Sequence, residues 1–138
     1  MHQVTDLLRS TKTVEDMLRA LAERDVDRAA ALLDDGIIWH NVGFPKVRGI
    51  ARVRKALAVM AKPNYGFDVT IHNIAAAPDG DVVLTERTDV LIWRRLRVEF
   101  WVCGTFELRD GKILVWRDYF DNLDFAKALV RGLWRLRS

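Results

Sequence analysis

Three charged side chains lie in two stretches of sequence that are otherwise typical of apolar strands. Residues 85–91 read TERTDVL and residues 115–120 read VWRDYF, and both contain the β-branched, aliphatic and aromatic residues that strands favour. Side chains two residues apart share one face of a strand, so Arg87 and Asp89 are predicted to point the same way. By the same alternation Asp118 shares its face with apolar neighbours. A carboxylate buried in such a row requires a charged or hydrogen-bonding partner.

The chemistry that this trio suits is general acid–base catalysis. The guanidinium of Arg87 has enough donors to engage two carboxyl groups at once. One Arg neutralises one carboxylate, so Asp89 and Asp118 beside it would repel each other and share a proton near neutral pH. An acid and a base held side by side are what such catalysis requires. The alternative is structural: Asp118 could merely hold Arg87 in an ion pair, and Arg87 with Asp89 could form a solvated row on an edge strand.

Trp39 and Asn41 add a third element from an earlier predicted strand. They share a face with Ile37, whereas His40 points away. The Asn41 amide both donates and accepts hydrogen bonds, so it could fix a water molecule against Asp118. The alternatives are an Asn that satisfies backbone groups at a strand end and a Trp that belongs to the core.

Composition excludes several other classes of function. The net charge of +3 comes without a dense Lys/Arg run interleaved with aromatics, so no nucleic-acid partner is expected. The basic stretch at residues 131–137 is interpreted as a solvated helix end rather than a site for an anionic surface. No histidine pair has metal-ligand spacing, so no metal is expected. Neither a glycine-rich phosphate loop nor a Gly-x-Ser-x-Gly elbow occurs, so a covalent hydrolase of the α/β-hydrolase type is not supported.

The amino-terminal residues and the apolar runs predict where the protein resides. No segment has the apolar core of a signal peptide or the length of a membrane span, so we expect a cytoplasmic protein. Cys103 is the only cysteine in the sequence, so no intramolecular disulfide can form. Its simplest role is that of a small packed residue on its predicted strand.

The order of secondary-structure signals predicts one α+β domain over residues 1–138. The predicted helices have apolar residues at helical spacing: Val14, Met17, Leu18 and Leu21 after an N-cap at Thr13; a short helix over residues 27–33; Ile50, Val53, Leu57 and Met60; and Leu123, Phe125, Leu129 and Leu133 after a cap at Asp121. The predicted strands cover residues 37–42, 67–76, 82–93, 98–108 and 112–120, with a loop at residues 43–49. We expect a curved sheet, mostly an antiparallel meander, that wraps around helices and leaves an apolar cavity open at one end.

The motifs around the charged residues resemble those of limonene-1,2-epoxide hydrolases. The resemblance is carried by WHN at residues 39–41, ERTDVL at residues 86–91 and WRDYFD at residues 116–121, and it spans most of the chain. These enzymes belong to the nuclear transport factor 2-like superfamily of cone-shaped α+β domains. The resemblance therefore implies that fold.

The resemblance also implies a cofactor-independent hydrolase that adds water to an epoxide and yields a vicinal diol without a covalent enzyme intermediate. The residue matching Asp118 is the family's general base, the one matching Asp89 is the acid that protonates the epoxide oxygen, and the one matching Arg87 bridges them. The family holds the water with an Asn, matched by Asn41, and a Tyr. That Tyr is Trp39 in this sequence, an N–H donor that cannot accept a hydrogen bond.

Strand alternation and the helix pattern also predict the walls of the cavity, which suit a hydrophobic epoxide. The predicted substrate-binding residues are Leu91, Trp93, Phe100, Val102, Phe120 and Met60. Two other functions remain open at this point. One is an isomerase- or cyclase-type enzyme in which Asp118 or Asp89 abstracts a carbon-bound proton, and the other is a non-catalytic ligand-binding protein on the same cone. The resemblance further implies a homodimer, for which the sheet face bearing Trp101 and Tyr119 is the predicted contact.

Overall fold

A computed structural model describes residues 2–137 of the chain and shows a mixed α+β fold. Within these residues the elements, in chain order, are α1 (His2–Ala22), α2 (Val26–Ala31), β1 (Leu33–Asn41), β2 (Val47–Arg48), α3 (Ile50–Met60), β3 (Tyr65–Ala76), β4 (Val82–Trp93), β5 (Leu96–Arg109), β6 (Lys112–Tyr119) and α4 (Asn122–Arg137). None of the helices in this part of the chain combines the length and the apolar character that crossing a bilayer requires.

The six strands form one curved sheet in the order β2-β1-β6-β5-β4-β3. Strands β3 to β6 are the predicted antiparallel meander, whereas β1 pairs with β6 in parallel. The parallel pairing aligns Trp39 with Trp116 and Asn41 with Asp118. The expected α+β class and curved sheet are confirmed, and the parallel pair brings the predicted site residues of β1 beside those of β6.

The main core lies between the concave face of the sheet and helices α1 and α3. The predicted stripe of α1 (Val14, Met17, Leu18 and Leu21) is buried there, as are Val53 and Leu57 of α3. Residues three and four apart fall on one side of a helix, so each helix presents a continuous apolar strip to the sheet. Burial of such strips provides the main driving force for this arrangement, at about 25 cal/mol per Å² of apolar surface.

Two predicted helix boundaries are wrong. Helix α1 begins at His2 rather than after Thr13, whose hydroxyl donates to the Arg9 carbonyl at 2.9 Å inside the helix. Thr side chains bond to backbone groups both at helix starts and within helices, so the residue type alone did not mark the boundary. Helix α2 begins after Asp25, whose side chain accepts from the Arg28 N–H, and it ends at Ala31.

The region around the first strand also differs from the prediction. Strand β1 begins at Leu33 instead of residue 37, and its register with β6 shifts between Leu33 and Ile38. The predicted loop contains the short strand β2, which pairs with Ile38 and Trp39. A bulge and a two-residue edge strand leave almost no periodic signal in a sequence, which is why both were missed.

Helix α4 covers the open end of the sheet and forms a second apolar cluster with β5. Its buried residues are Ala128 and Gly132, whereas Leu123 and Leu133 of the predicted stripe are exposed. The helix passes so close to the β4–β5 turn that a Cβ atom at Gly132 would lie 2.5 Å from the Arg97 carbonyl oxygen. The closest contact therefore runs through small residues. Phe125 and Leu129 of the predicted stripe pack beside them, whereas Leu123 and Leu133 face outward.

Candidate active site

Arg87 is fully buried beneath the concave face of the sheet and bonds to both predicted acids. Its Nε and Nη2 donate to Oδ1 and Oδ2 of Asp89 at 3.0 and 2.8 Å, a bidentate pair. Its Nη1 donates to Asp118 Oδ1 at 3.1 Å and to Thr85 Oγ1 at 3.3 Å. The guanidinium thus joins two carboxyl groups that lie on strands β4 and β6.

The strand between them supplies the space for this guanidinium. Gly104 of β5 pairs with Thr85 on one side and with Asp118 on the other. A Cβ atom at Gly104 would lie 2.6 Å from Arg87 Nη1, 2.7 Å from Thr85 Oγ1 and 3.0 Å from Asp118 Oδ1. Ordinary contacts of a Cβ atom begin near 3.4 Å, so only glycine leaves room here for the cluster.

Two stacked indoles support the Asp118 carboxyl group from its other side. Trp116 Nε1 donates to Asp118 Oδ2 at 3.1 Å. The Trp39 and Trp116 rings stack with centroids 4.7 Å apart and planes inclined by 17°. Within residues 2–137, the buried Nε1 of Trp39 has no hydrogen-bond partner. Trp39 therefore packs against Trp116 and holds it in place, while the indole N–H of Trp39 itself donates to no described residue.

Burial and neighbouring charges act in opposite directions on the cluster. Removal from water raises the pKa of Asp118, although the Arg87 charge and the Trp116 hydrogen bond oppose that rise. Burial also disfavours the charged guanidinium, yet the carboxylates of Asp118 and Asp89 outweigh this effect and raise the pKa of Arg87 above its ordinary value. Arg87 is thus a permanent cation, and Asp118 is a stronger base than an ordinary aspartate.

A cavity of about 410 Å³ opens directly above the two carboxyl groups. Its lining is apolar apart from a few polar groups at one end, the usual composition of small-molecule sites. The lining residues are Leu21, Trp39, Asn41, Phe44, Met60, Phe67, Asp89, Leu91, Phe100, Val102, Trp116, Asp118, Phe120 and Phe125. Arg87 is not among them, so a molecule in the cavity meets the carboxyl groups and Asn41 while the guanidinium lies behind.

The structure brings together most residues that the sequence pointed to and leaves out one. Five of the six predicted wall residues line the cavity: Leu91, Phe100, Val102, Phe120 and Met60. Trp93 does not. It lies at the hairpin end of β4, is 49 % exposed, and carries the Arg94 guanidinium 5.4 Å from its ring centroid. Strand alternation predicted correctly which face of β4 carries Trp93. It did not predict that Trp93 lies too near the end of the strand to reach the cavity.

Other residues of the site were missed by the sequence reasoning. Thr85 shares the β4 face of Arg87 and Asp89, so alternation could have found it. Gly104 lies in a strand pattern, and a glycine there signals the close approach of another group. Phe44 and Phe125 come from a loop and from α4, and their spacing relative to the other residues carries no signal for a shared cavity.

Comparison with known proteins identifies the family. Residues 8–131 match the model of the limonene-1,2-epoxide hydrolase catalytic domain. The chain belongs to the limonene-1,2-epoxide hydrolase family. It is an enzyme, an epoxide hydrolase of this type, and the resemblance seen in its motifs is confirmed.

Individual relatives agree with membership of the limonene-1,2-epoxide hydrolase family. The chain is 52% identical over 120 residues to epoxide hydrolase EphG of Mycobacterium tuberculosis, covering 87% of this chain and 78% of that protein. A solved structure of an M. tuberculosis epoxide hydrolase that resembles the family superposes with a TM-score of 0.88 at 48% identity, covering 94% of this chain and 96% of that one.

A more distant structure, a putative polyketide cyclase from Xanthomonas campestris, matches with a TM-score of 0.76 at 18% identity and covers 90% of this chain and 98% of its own. That likeness extends to the fold alone. The nuclear transport factor 2-like fold implied by the motifs is confirmed.

Proposed function

We propose that the enzyme adds water to a hydrophobic epoxide in one step, with Asp118 as base, Asp89 as acid and Arg87 bridging them. The observation that carries this proposal is the pair of carboxyl groups at the wall of an apolar cavity, joined by one buried guanidinium. A single positive charge between two acids favours one ionised and one protonated carboxyl group. Epoxide opening by water uses that pair, because the nucleophile loses a proton and the oxygen gains one.

Water is activated between Asp118 and Asn41, which are aligned neighbours on the paired strands β6 and β1. The Asp118 carboxylate accepts a proton from the water as the water oxygen forms its bond to an epoxide carbon. The Asn41 amide orients the water by a hydrogen bond. The raised pKa of Asp118 supports this role, because a more basic carboxylate takes up a proton more readily once it is ionised.

Asp89 completes the reaction by protonating the epoxide oxygen as the C–O bond breaks. Each of its oxygens accepts from Arg87, yet a carboxyl oxygen has a second lone-pair site that can carry a proton toward the cavity. The product is a vicinal diol, and atoms balance as one water consumed per epoxide. Before the next turnover the proton on Asp118 returns to Asp89.

Trp39 changes how the water is held in comparison with the family pattern. The indole N–H can donate to the water oxygen but cannot accept from it. A donor aimed at that oxygen would occupy a lone pair and weaken the nucleophile. We therefore assign the water to Asn41 and Asp118, with Trp39 acting as a positioning residue through its stack on Trp116.

The substrate is proposed to be a lipophilic epoxide. Apolar side chains make up nearly all of the lining, and a cluster of Phe100, Phe120 and Phe125 closes one side with ring centroids 4.9–5.7 Å apart. Apolar walls distinguish substrates weakly, since one methylene is worth about 1–3 kcal/mol. We expect several lipophilic epoxides to be accepted.

A homodimer is proposed through the convex face of the sheet. Trp101 and Tyr119 are both exposed on this face. Large aromatic residues are enriched in protein interfaces, so their exposure favours a contact here. Light scattering at micromolar concentration should give twice the mass of the chain. A monomer whose mass does not change with concentration would contradict this proposal.

The deciding experiment measures diol formation from a panel of lipophilic epoxides with the wild type, Asp118→Asn and Asp89→Asn. We expect each substitution to abolish turnover, because one removes the base and the other removes the proton donor. Asp81→Asn, an exposed carboxyl just before the first residue of β4 and outside the cavity lining, is the matched control and should retain full activity. Far-UV circular dichroism verifies that each variant is folded.

Single turnover in oxygen-18 water separates direct attack from a covalent route. Label should appear in the diol during the first turnover. Label missing from that turnover would indicate an enzyme ester, and a rearranged product without added oxygen would favour the isomerase-type alternative. Undiminished turnover by either Asn variant would remove that residue from the mechanism.

A further inference from the structure

Helix α4 presents an apolar ridge on the side that faces away from the protein. Leu123, Val130 and Trp134 are 64%, 64% and 69% exposed. They are separated by seven and four residues, so they align along one side of the helix, opposite the buried Ala128 and Gly132. A ridge of large side chains directed outward is unusual, because surface helices of monomeric proteins normally place polar residues there.

Basic side chains flank this ridge and give its surroundings a positive charge. Lys127 and Arg131 lie beside it and are exposed. Near the carboxyl end, the Arg137 guanidinium lies 5.7 Å from the centroid of the Trp134 ring. Helix α4 contains four basic residues and a single acidic one, Asp124. The adjoining β4–β5 turn adds exposed Arg94, Arg95 and Arg97, the last in contact with Gly132.

We propose that this face, defined by Leu123, Lys127, Val130, Arg131 and Trp134, docks on the surface of membranes that contain anionic lipids. A helix with a hydrophobic ridge, a Trp and flanking Lys or Arg lies in the plane of the bilayer interface, with its apolar side chains among the acyl chains. Each basic residue near an anionic surface adds attraction, and Trp prefers the headgroup region. The face combines all of these features. We therefore revise the interpretation of residues 131–137 as only a solvated helix end, because Val130 and Trp134 are exposed beside the basic residues.

A second copy of the chain fits this face poorly. Most protein pairs associate about a two-fold axis, which places the same patch on both sides of the contact. Such a contact would bring Lys127 and Arg131 of each copy toward those of the other, and like charges in a contact oppose association. Nucleic acid is also a poor match, because the outermost side chains are apolar and offer nothing to phosphates.

The proposed docking face and the cavity lie on opposite sides of helix α4. Phe125 lies on the inner side of α4 and lines the cavity, next to Phe120. A membrane bound to the outer side of the same helix would therefore lie close to the cavity wall, where lipophilic molecules are concentrated. This benefit rests on the proposed function, whereas docking itself does not and can be measured without any substrate.

The test is co-sedimentation of the full chain with vesicles of phosphatidylcholine alone or of phosphatidylcholine with phosphatidylglycerol. We expect binding to the anionic vesicles that weakens as salt rises from 0.1 M to about 1 M, where the screening length falls to about 3 Å. Lys127→Gln with Arg131→Gln should weaken binding about 25-fold, at about fivefold for each charge. Trp134→Ala should weaken it by about tenfold or more.

The matched control is Arg52→Gln with Lys55→Gln, which removes the same charge from exposed positions of α3. It should bind vesicles like the wild type. Absence of binding to anionic vesicles, equal binding to both vesicle types, or equal weakening by the control pair would overturn the proposal. So would light scattering in which Trp134→Ala converts a dimer into a monomer, because the face would then be a contact between chains.

Discussion

Replacing Gly104 with alanine tests whether the strand backbone sets the position of the buried Arg87 guanidinium. The added methyl group would lie 2.6 Å from Arg87 Nη1, and relief to 3.4 Å requires a displacement of 0.8 Å (3.4 − 2.6). The bond from Nη1 to Asp118 Oδ1 is 3.1 Å long, close to the upper limit for a strong hydrogen bond. A displacement of that size cannot retain all of the contacts of the cluster.

The magnitude follows from two known effects. Overpacking a tightly packed site costs about 1–3 kcal/mol, and separating a buried ion pair costs about 3–5 kcal/mol. Partial adjustment of Arg87 should leave a loss of about 2–4 kcal/mol in the free energy of unfolding. A misplacement of nearly 1 Å in catalytic groups lowers the rate about a hundredfold. We therefore expect kcat to fall about a hundredfold in molecules that remain folded.

Urea unfolding and steady-state kinetics on a good epoxide measure the two effects separately. Gly36→Ala is the matched control, because its Cβ atom would have neighbours no closer than 3.5 Å and its φ lies outside the left-handed region that favours glycine. It should leave activity unchanged and stabilise slightly by reducing the freedom of the unfolded chain. Wild-type kcat in Gly104→Ala would refute the reasoning that only a glycine at this position leaves the cluster in working geometry.

Two further predictions concern the indoles. Burial raises the pKa of Asp118, so the fall of kcat/KM on acidification should be centred at a pH above the ordinary pKa of Asp, about 3.9. Trp116→Phe should move this acid limb of the pH profile to still higher pH, because the lost indole donor favoured the ionised form of Asp118. An acid limb in Trp116→Phe that stays at the wild-type pH would contradict the hydrogen bond. Trp39→Tyr should raise kcat by restoring the family's hydroxyl, and Trp39→Phe should not; equal rates in the two variants would show that a hydroxyl there is irrelevant.

Alternation along single strands predicted much of the candidate site before any coordinates. Arg87 and Asp89 are two apart on an unbroken strand, so their shared face followed from the sequence. Helical spacing did the same for Val14, Met17 and their neighbours on α1, because periodic burial is a local property. The class of fold followed from the order of these elements.

Features that depend on interruptions or on distant neighbours could not be predicted. The β5–β6 register shifts between Glu107 and Leu108, and Ile113 and Trp116, which lie on either side of that shift, are both buried although their spacing is odd. Strict alternation would have placed Leu114 inside instead. Trp93 shows the same limit in another form, because its face was correct and its position along the sheet was not. Half of the stripe predicted for α4 packs inward, at Phe125 and Leu129, but Leu123 and Leu133 are exposed, since spacing alone does not fix the exact side of a helix that meets the sheet.

The depth of Arg87 affects which ligands the enzyme can accept. Arg87 does not line the cavity, so the end of the cavity at Asp89 and Asp118 presents their carboxyl groups and no exposed cation. An anionic group would be repelled from that end, whereas the neutral ring of an epoxide would not. Molecules that carry both an epoxide and a carboxylate should therefore enter ring first, with the acid group left at the open mouth. We therefore expect the burial of Arg87 to govern how a substrate with an acid group is oriented, without any contact between the two.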